Sequence, residues 1–175
     1  MLRRSKRDPE VAGDLPPRTE QIVECGLTRE QAALYRALTE VTFEKVKGGH
    51  GMGRRASILA ALTGLKQICN HPENYVEEDP ERLLGRSSKL DRCMELLEEL
   101  IDQGQPTLVF TQYREMGELL QAAIEQRFDR EVPFFHGGLS PRERENMLDA
   151  FRSGDGDPVL ILSLKAGGTG LNLVR

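Results

Sequence analysis

The chain has 175 residues, 24 basic and 28 acidic side chains, a net charge of −4 and 38% hydrophobic residues, enough for one soluble globular domain with or without a small appendage. No apolar run approaches the roughly 20 residues that a membrane-spanning helix needs. Arg3, Arg4, Lys6 and Arg7 lead into no apolar segment, which argues against an export signal. Cys25, Cys69 and Cys93 are odd in number and far apart, so neither a disulfide frame nor a C-x-x-C zinc site is expected, and a reducing interior is the natural setting. The net acidity argues mildly against a broad phosphate-binding surface but leaves room for cations gathered on one face.

Residues 1–18 begin basic and then carry Pro9, Gly13, Pro16 and Pro17 without apolar periodicity, which reads as an extended linker or a charged tail. Loose alternation around Ile22 and Val23 predicts a short strand over Thr19–Leu27. Thr28 and Gln31 have capping-box spacing. Ala32, Leu34, Tyr35, Leu38, Val41 and Thr42 then give one apolar helical face ending near Lys47. Gly48–Arg55 is glycine-rich but closes with no G-K-[ST], so it is not a Walker A loop, and a mobile loop is expected. Ile58, Leu59, Leu62, Leu65 and Ile68 predict a second amphipathic helix. It stops at Asn70-His71-Pro72, because a residue before proline is driven out of the α region. Cys69 and His71, with no second pair, make a poor metal site; a packed cysteine at a helix end is the better reading. Glu73–Arg86 is acidic and turn-rich and is expected to be a surface connection.

Ser87-Ser88-Lys89-Leu90-Asp91 opens a third helix with a serine cap and an acid near its positive end. Leu90, Met94, Leu97, Leu100 and Ile101 are its expected buried stripe, and Gln103-Gly104 its end, with Pro106 just beyond. From there strands and helices alternate. Strands are predicted at Thr107–Thr111, Val132–His136 and Val159–Leu162. One helix carries Met116, Leu119, Leu120, Ala123, Ile124 and Phe128. Another starts at Ser140-Pro141-Arg142-Glu143 and runs through Met147, Leu148 and Phe151 to Gly154. Such alternation implies an α/β fold with a parallel sheet and right-handed crossovers.

Loops at the carboxyl ends of these strands are where open α/β sheets bind ligands. After the last strand, Gly167, Gly168 and Gly170 free the backbone to point N–H groups at an anion, and Lys165 adds a cation; the plain alternative is a flexible glycine turn. In Phe110-Thr111-Gln112-Tyr113, Thr111 and Gln112 are able to donate to phosphate oxygens, or else close a strand with Tyr113 packed. In His136-Gly137-Gly138-Leu139-Ser140, His136 is of a residue type that serves as a general base. No neighbouring motif completes a catalytic triad, so a histidine that holds its loop is the better reading.

Ser163-Leu164-Lys165-Ala166-Gly167-Gly168-Thr169-Gly170-Leu171-Asn172-Leu173 resembles the fifth helicase motif of the Swi/Snf-type ATPases, double-stranded-DNA translocases of helicase superfamily two, bacterial members above all. Further segments resemble the family in its own order: Leu2-Arg3-Arg4-Ser5-Lys6 with Leu15-Pro16-Pro17-Arg18, Leu65-Lys66-Gln67-Ile68-Cys69-Asn70-His71-Pro72, Ser88-Lys89-Leu90, and Phe110-Thr111-Gln112-Tyr113. The resemblance implies an inter-lobe linker at 1–18. It implies a strand, helical segment and surface connection at 19–86, and an incomplete C-terminal helicase lobe of RecA-like, P-loop NTPase type at 87–175.

The resemblance also assigns roles. It turns Thr111, Gln112, Gly137, Gly138, Ser163, Lys165, Gly167 and Gly168 towards the DNA backbone, and Gly170, Leu171 and Asn172 towards an ATP cleft. It implies duplex DNA, bound without regard to sequence, and a first RecA-like lobe as partners. ATP and Mg2+ are then cofactors of the whole motor, held by no metal ligand or catalytic residue of this chain. The setting implied is cytoplasmic, bacterial and nucleoid-associated. A loop beside both ligands would couple ATP binding to grip on DNA. The chain has no Walker A motif and no Asp-Glu metal pair, and it stops at Val174-Arg175, before the family's arginine motif. A piece of a larger ATP hydrolase, inactive alone, is therefore expected, with at least one strand missing and a sheet edge left open. The alternative is a degenerate lobe that docks on a partner protein through its helices. A nucleic-acid-binding fold without a motor is disfavoured by the lack of aromatic stacking platforms.

Overall fold

The computed structural model describes residues 19–48, 51–79, 81–167, 171 and 173; the expected linker over 1–18 lies outside them. The first described residues correct one expectation. Residues 19–28 run without regular structure, and Ile22 is 84% exposed, because their alternation meets no sheet edge to pair with.

Helix α1 (Arg29–Gly48) starts at the expected capping box. The Thr28 N–H donates to Gln31 Oε1 at 3.0 Å, and the Gln31 N–H donates to Thr28 Oγ1 at 3.2 Å. The same two side chains tie the helix down. The Thr28 hydroxyl donates to the Arg86 carbonyl, and the buried Gln31 amide donates to the Ile68 carbonyl at 2.8 Å.

Helix α2 (Gly51–Asn70) begins earlier than expected, so Gly51–Arg55 are helical, with Gly51 at a positive φ of 64°. Its buried face is Ala61, Gly64 and Ile68, whereas Ile58, Leu59 and Leu62 stay exposed, Leu59 at 67%. Small residues turn inward because α1 lies close. A Cβ on Gly64 would stand 2.9 Å from Leu38 Cδ2 and 3.0 Å from the Tyr75 ring.

The stretch after α2 runs over the surface at 77–79, 81 and 82, as expected, but is anchored in the fold at both ends. A short helix α3 (Glu73–Val76) is followed by a chain that buries Leu83 and Arg86. The Arg86 guanidinium, 7% exposed, donates to Glu73 at 2.8 Å and to Glu30 at 2.7 Å, and also to the carbonyls of Asp79 and Arg82. A buried charge is tolerable only when paired and hydrogen-bonded in this way. The Glu30 and Glu73 carboxylates keep Arg86 firmly protonated. Burial works to raise the Glu73 carboxyl, but the Asp79 N–H and Arg86 outweigh it and hold the carboxyl below its ordinary range. His71 is sealed beside them. Its Nδ1 accepts the Glu73 N–H at 3.1 Å, so its Nε2 carries the proton towards the Leu83 carbonyl at 2.9 Å. Burial pushes its pKa down.

Helix α4 (Ser88–Asp102) is capped by Ser87, whose Oγ accepts the Leu90 N–H and donates to the Asn70 carbonyl at 2.6 Å. Leu90, Met94 and Leu97 are its buried stripe. Beyond it lie β1 (Thr107–Thr111), α5 (Arg114–Phe128), β2 (Phe134–Phe135), α6 (Pro141–Ser153), β3 (Val159–Ser163) and a single turn, α7 (Leu164–Gly167). The described strands form one parallel sheet in the order β1-β3-β2. The strand expected over Val132–His136 contracts to two residues. Pro133 has no N–H to give the ladder, although its carbonyl still accepts from the Ile161 N–H at 3.0 Å.

Every residue of β3 is buried, which requires cover on both faces. Val159 and Ile161 pack with Leu90, Met94, Leu120 and Ile124 of α4 and α5. Leu160 and Leu162 pack with Leu148 and Phe151 of α6 and with Phe135. Gly117 lets α5 lie against β2, since a Cβ there would overlap the Phe134 ring. Helix α6 opens with a complete capping box between Ser140 and Glu143 and with Pro141 in its first turn. No helix of the described residues is long and apolar enough to cross a membrane.

Candidate nucleic-acid interface

The parallel register brings the three candidate loops to one edge. Thr111 lies level with Ser163, and Phe135 level with Leu162, so His136 follows at the same height. Gln112, Gly137, Gly138 and Lys165 are exposed there, whereas Thr111 and Ser163 are buried in the strand ends. The Thr111 hydroxyl donates to the Tyr113 carbonyl at 3.2 Å and so braces the turn after β1. His136 Nδ1 accepts the Gly138 N–H at 3.1 Å, which fixes the loop after β2. Arg144 of α6 grips the same loop from below: its Nη2 donates to the Gly137 carbonyl at 2.6 Å, and its guanidinium lies 6.0 Å from the Phe135 ring centre. Sequence reasoning did not single out Arg144; its signal was an arginine one helical turn past the capping Ser140, which Arg142 beside it made ambiguous.

Two clefts open along this edge. One, of about 570 Å3, draws together Gly137, Arg144, Arg152, Lys165 and Leu171. The other, of about 390 Å3, holds Thr111 and Gln112 on its rim with Asn70 and Lys89, over an apolar floor that includes Leu90 and Met116. Of the site residues expected from the sequence, Gly137, Lys165 and Leu171 line the first hollow and Thr111 and Gln112 the second, whereas Gly138, Ser163 and Gly167 line neither. Gly167 stands where a Cβ would come within 3.3 Å of the Phe110 ring, so the turn after β3 packs closely over β1. Gly168, Gly170 and Asn172 lie outside the described residues. Among the described residues Lys165 and Lys89 make no ion pair, unlike Arg114, Arg127 and Arg130, and present net positive charge at the edge. No three His, Cys, Asp or Glu side chains among the described residues converge in a way that fits a metal ion.

An edge of backbone turns, hydroxyls, an amide and two lysines that make no ion pair among the described residues has the chemistry that suits phosphodiester oxygens. Residues 88–175 match the helicase conserved C-terminal domain, and residues 1–74 match the SNF2-related domain. YwqA of Bacillus subtilis, whose name describes an ATP-dependent helicase/translocase, is 46% identical over 99% of this chain and 19% of its own length. The Sulfolobus solfataricus SWI2/SNF2 ATPase C-terminal domain superposes with a TM-score of 0.77 at 39% identity, over 86% of this chain and 65% of that one. The SWI2/SNF2 ATPase core of the same organism in complex with double-stranded DNA gives 0.79 at 38% identity, over 93% of this chain and 34% of that one. The chain thus spans about a fifth of the curated relative and a third of the DNA-bound core. With a domain match over half its length and these relatives beside it, the chain belongs to the SNF2-related helicases.

Proposed function

We propose that this chain is the second RecA-like lobe, with its helical segment, of an ATP-dependent double-stranded-DNA translocase, and that its carboxyl sheet edge tracks the DNA backbone. The observation that carries this is the register that sets Gln112, Ser163 and the His136 loop side by side, with Lys165, which makes no ion pair among the described residues, exposed just beyond Ser163. Gln112, Thr111, Ser163, Lys165 and the backbone of Gly137, Gly138, Gly167 and Gly168 are the proposed phosphate contacts. Such contacts position a duplex without reading it. In this reading residues 1–18 join the lobes, 19–86 brace the second lobe and 87–175 form it, in a bacterial cytoplasm at the nucleoid. The partner within the motor is a first RecA-like lobe.

In the whole motor ATP supplies the driving free energy. Leu171, which lines the larger cleft with Lys165, fits a place beside the nucleotide, together with Gly170 and Asn172. Mg2+, which binds through one or two carboxylates beside substrate phosphates, is in this reading a cofactor of the whole motor. The contribution of this chain is therefore grip: Lys165 attracts phosphate, and His136 and Arg144 hold the neighbouring loop in place for it. Competition between duplexes tests this reading. Unlabelled duplexes of unrelated sequence should displace a labelled duplex equally well, and strong preference for one sequence contradicts backbone tracking.

A second reading has its own observation. Helices α1 and α2 leave Phe43, Ile58 and Leu62 exposed around an apolar groove of about 230 Å3, as an interaction module would. Failure to bind any duplex, with or without the first lobe, would favour it.

A further inference from the structure

The polar edge does not end at β1. The first turn of α4 shares the smaller cleft with the end of that strand, which brings Lys89 and Asn70 to the same rim as Thr111 and Gln112. Lys89 is the second residue of its helix, where the helix dipole works against a cation. Asp91, the acid that complements this turn, is engaged by the Gly85 N–H at 2.8 Å. Lys89 Nζ donates instead to the neutral Asn70 Oδ1 at 2.9 Å and makes no ion pair among the described residues. Asn70 is itself anchored, since its carbonyl accepts the Ser87 hydroxyl at 2.6 Å. A cation is thus held where the helix disfavours it, by a partner that orients it without neutralising it, on the rim of an exposed cleft.

We infer that Lys89, oriented by Asn70, is a further contact to a DNA phosphate, extending the gripping row past the edge of the sheet. The groups then run in spatial order from Lys89 through Gln112 and Lys165 to Gly137, following β1-β3-β2. An ammonium aimed in advance loses less freedom on binding than a free surface lysine does. The inference rests on the duplex-tracking reading. Because the contact is to phosphate, it adds affinity without sequence preference and is sensitive to salt.

The test is a titration of a short fluorescein-labelled duplex with this chain across a salt series, for the unaltered protein, Lys89→Ala, Lys89→Arg and Lys45→Ala. Lys45 lies in the last turn of α1, the end of that helix remote from the Thr28 cap, and serves as a charge-matched control. The expected result for Lys89→Ala is roughly tenfold weaker binding near 50 mM salt and a slope of log K against log[salt] shallower by about 0.9. Lys89→Arg should keep the slope, and Lys45→Ala should keep both. If Lys89→Ala superimposes on the unaltered chain while that chain binds, the Lys89 contact is overturned and the duplex reading stands. Equal losses in Lys89→Ala and Lys45→Ala also overturn it, since they would report net charge alone. If the unaltered chain binds no duplex at any salt, with or without the first lobe, both fall together.

Discussion

His71 and Glu73 show how single side chains set the conditions under which this fold holds. His71 is neutral because burial pushes its pKa below the ordinary 6.5 and because its two nitrogens already have a donor and an acceptor. The unfolded chain takes up a proton near 6.5 and the folded chain refuses it, so stability is lost as pH falls below that value. Glu73 has the same sign at lower pH. Its carboxyl is held down in the fold, so its contribution is present above its ordinary 4.5 and disappears as pH falls through the folded value. Melting temperature should therefore be level above about pH 7 and decline in two stages below it. His71→Gln, which keeps a donor towards the Leu83 carbonyl but cannot take the proton, should remove the upper stage. A melting profile for His71→Gln that declines between pH 7 and 5 as the unaltered chain does would contradict this account.

At the scale of elements, what could be read in advance was local. The caps at Thr28, Ser87 and Ser140 were legible because a capping side chain reaches only two or three residues ahead. The strand expected over Thr19–Leu27 was not legible as absent, because alternation describes a strand's faces and says nothing of a partner. The inward face of α2 was hidden for a related reason. Apolar Ile58, Leu59 and Leu62 looked buried, yet the contact with α1 selects Ala61 and Gly64 by size. The buried anchors of the acidic stretch 73–86 were not legible because its organising contact, Arg86 to Glu30, spans 56 residues. Gly117 belongs here too, as the close approach of α5 to β2 leaves no room for a methyl group. Gly117→Ala should destabilise the chain by about 1–3 kcal/mol through overpacking. Denaturant unfolding with an unchanged midpoint would show that Phe134 moves aside freely.

For the whole molecule, the parallel sheet and its carboxyl edge follow from β-α-β alternation, and that much of the site was legible, whereas the order β1-β3-β2 was not, because alternation leaves open which strands become neighbours. The division of the edge into two clefts, and the parts of Arg144, Asn70 and Lys89 in it, depend on which helices flank which strand, and no linear pattern holds that information. The same view sets a limit on activity. A chain that contributes grip but no Walker A loop should show no DNA-stimulated ATP turnover when purified alone. Phosphate release above background on adding duplex would overturn that expectation.

The central claim is that the carboxyl edge holds duplex DNA through its phosphates, and the salt dependence of binding by Lys165→Ala tests it most directly. The unaltered chain should bind more weakly as salt rises, with log K linear in log[salt]. Lys165→Ala should bind roughly tenfold more weakly near 50 mM salt, with a slope shallower by about 0.9. Duplex binding with no salt dependence, or a slope unchanged in Lys165→Ala, would contradict the account.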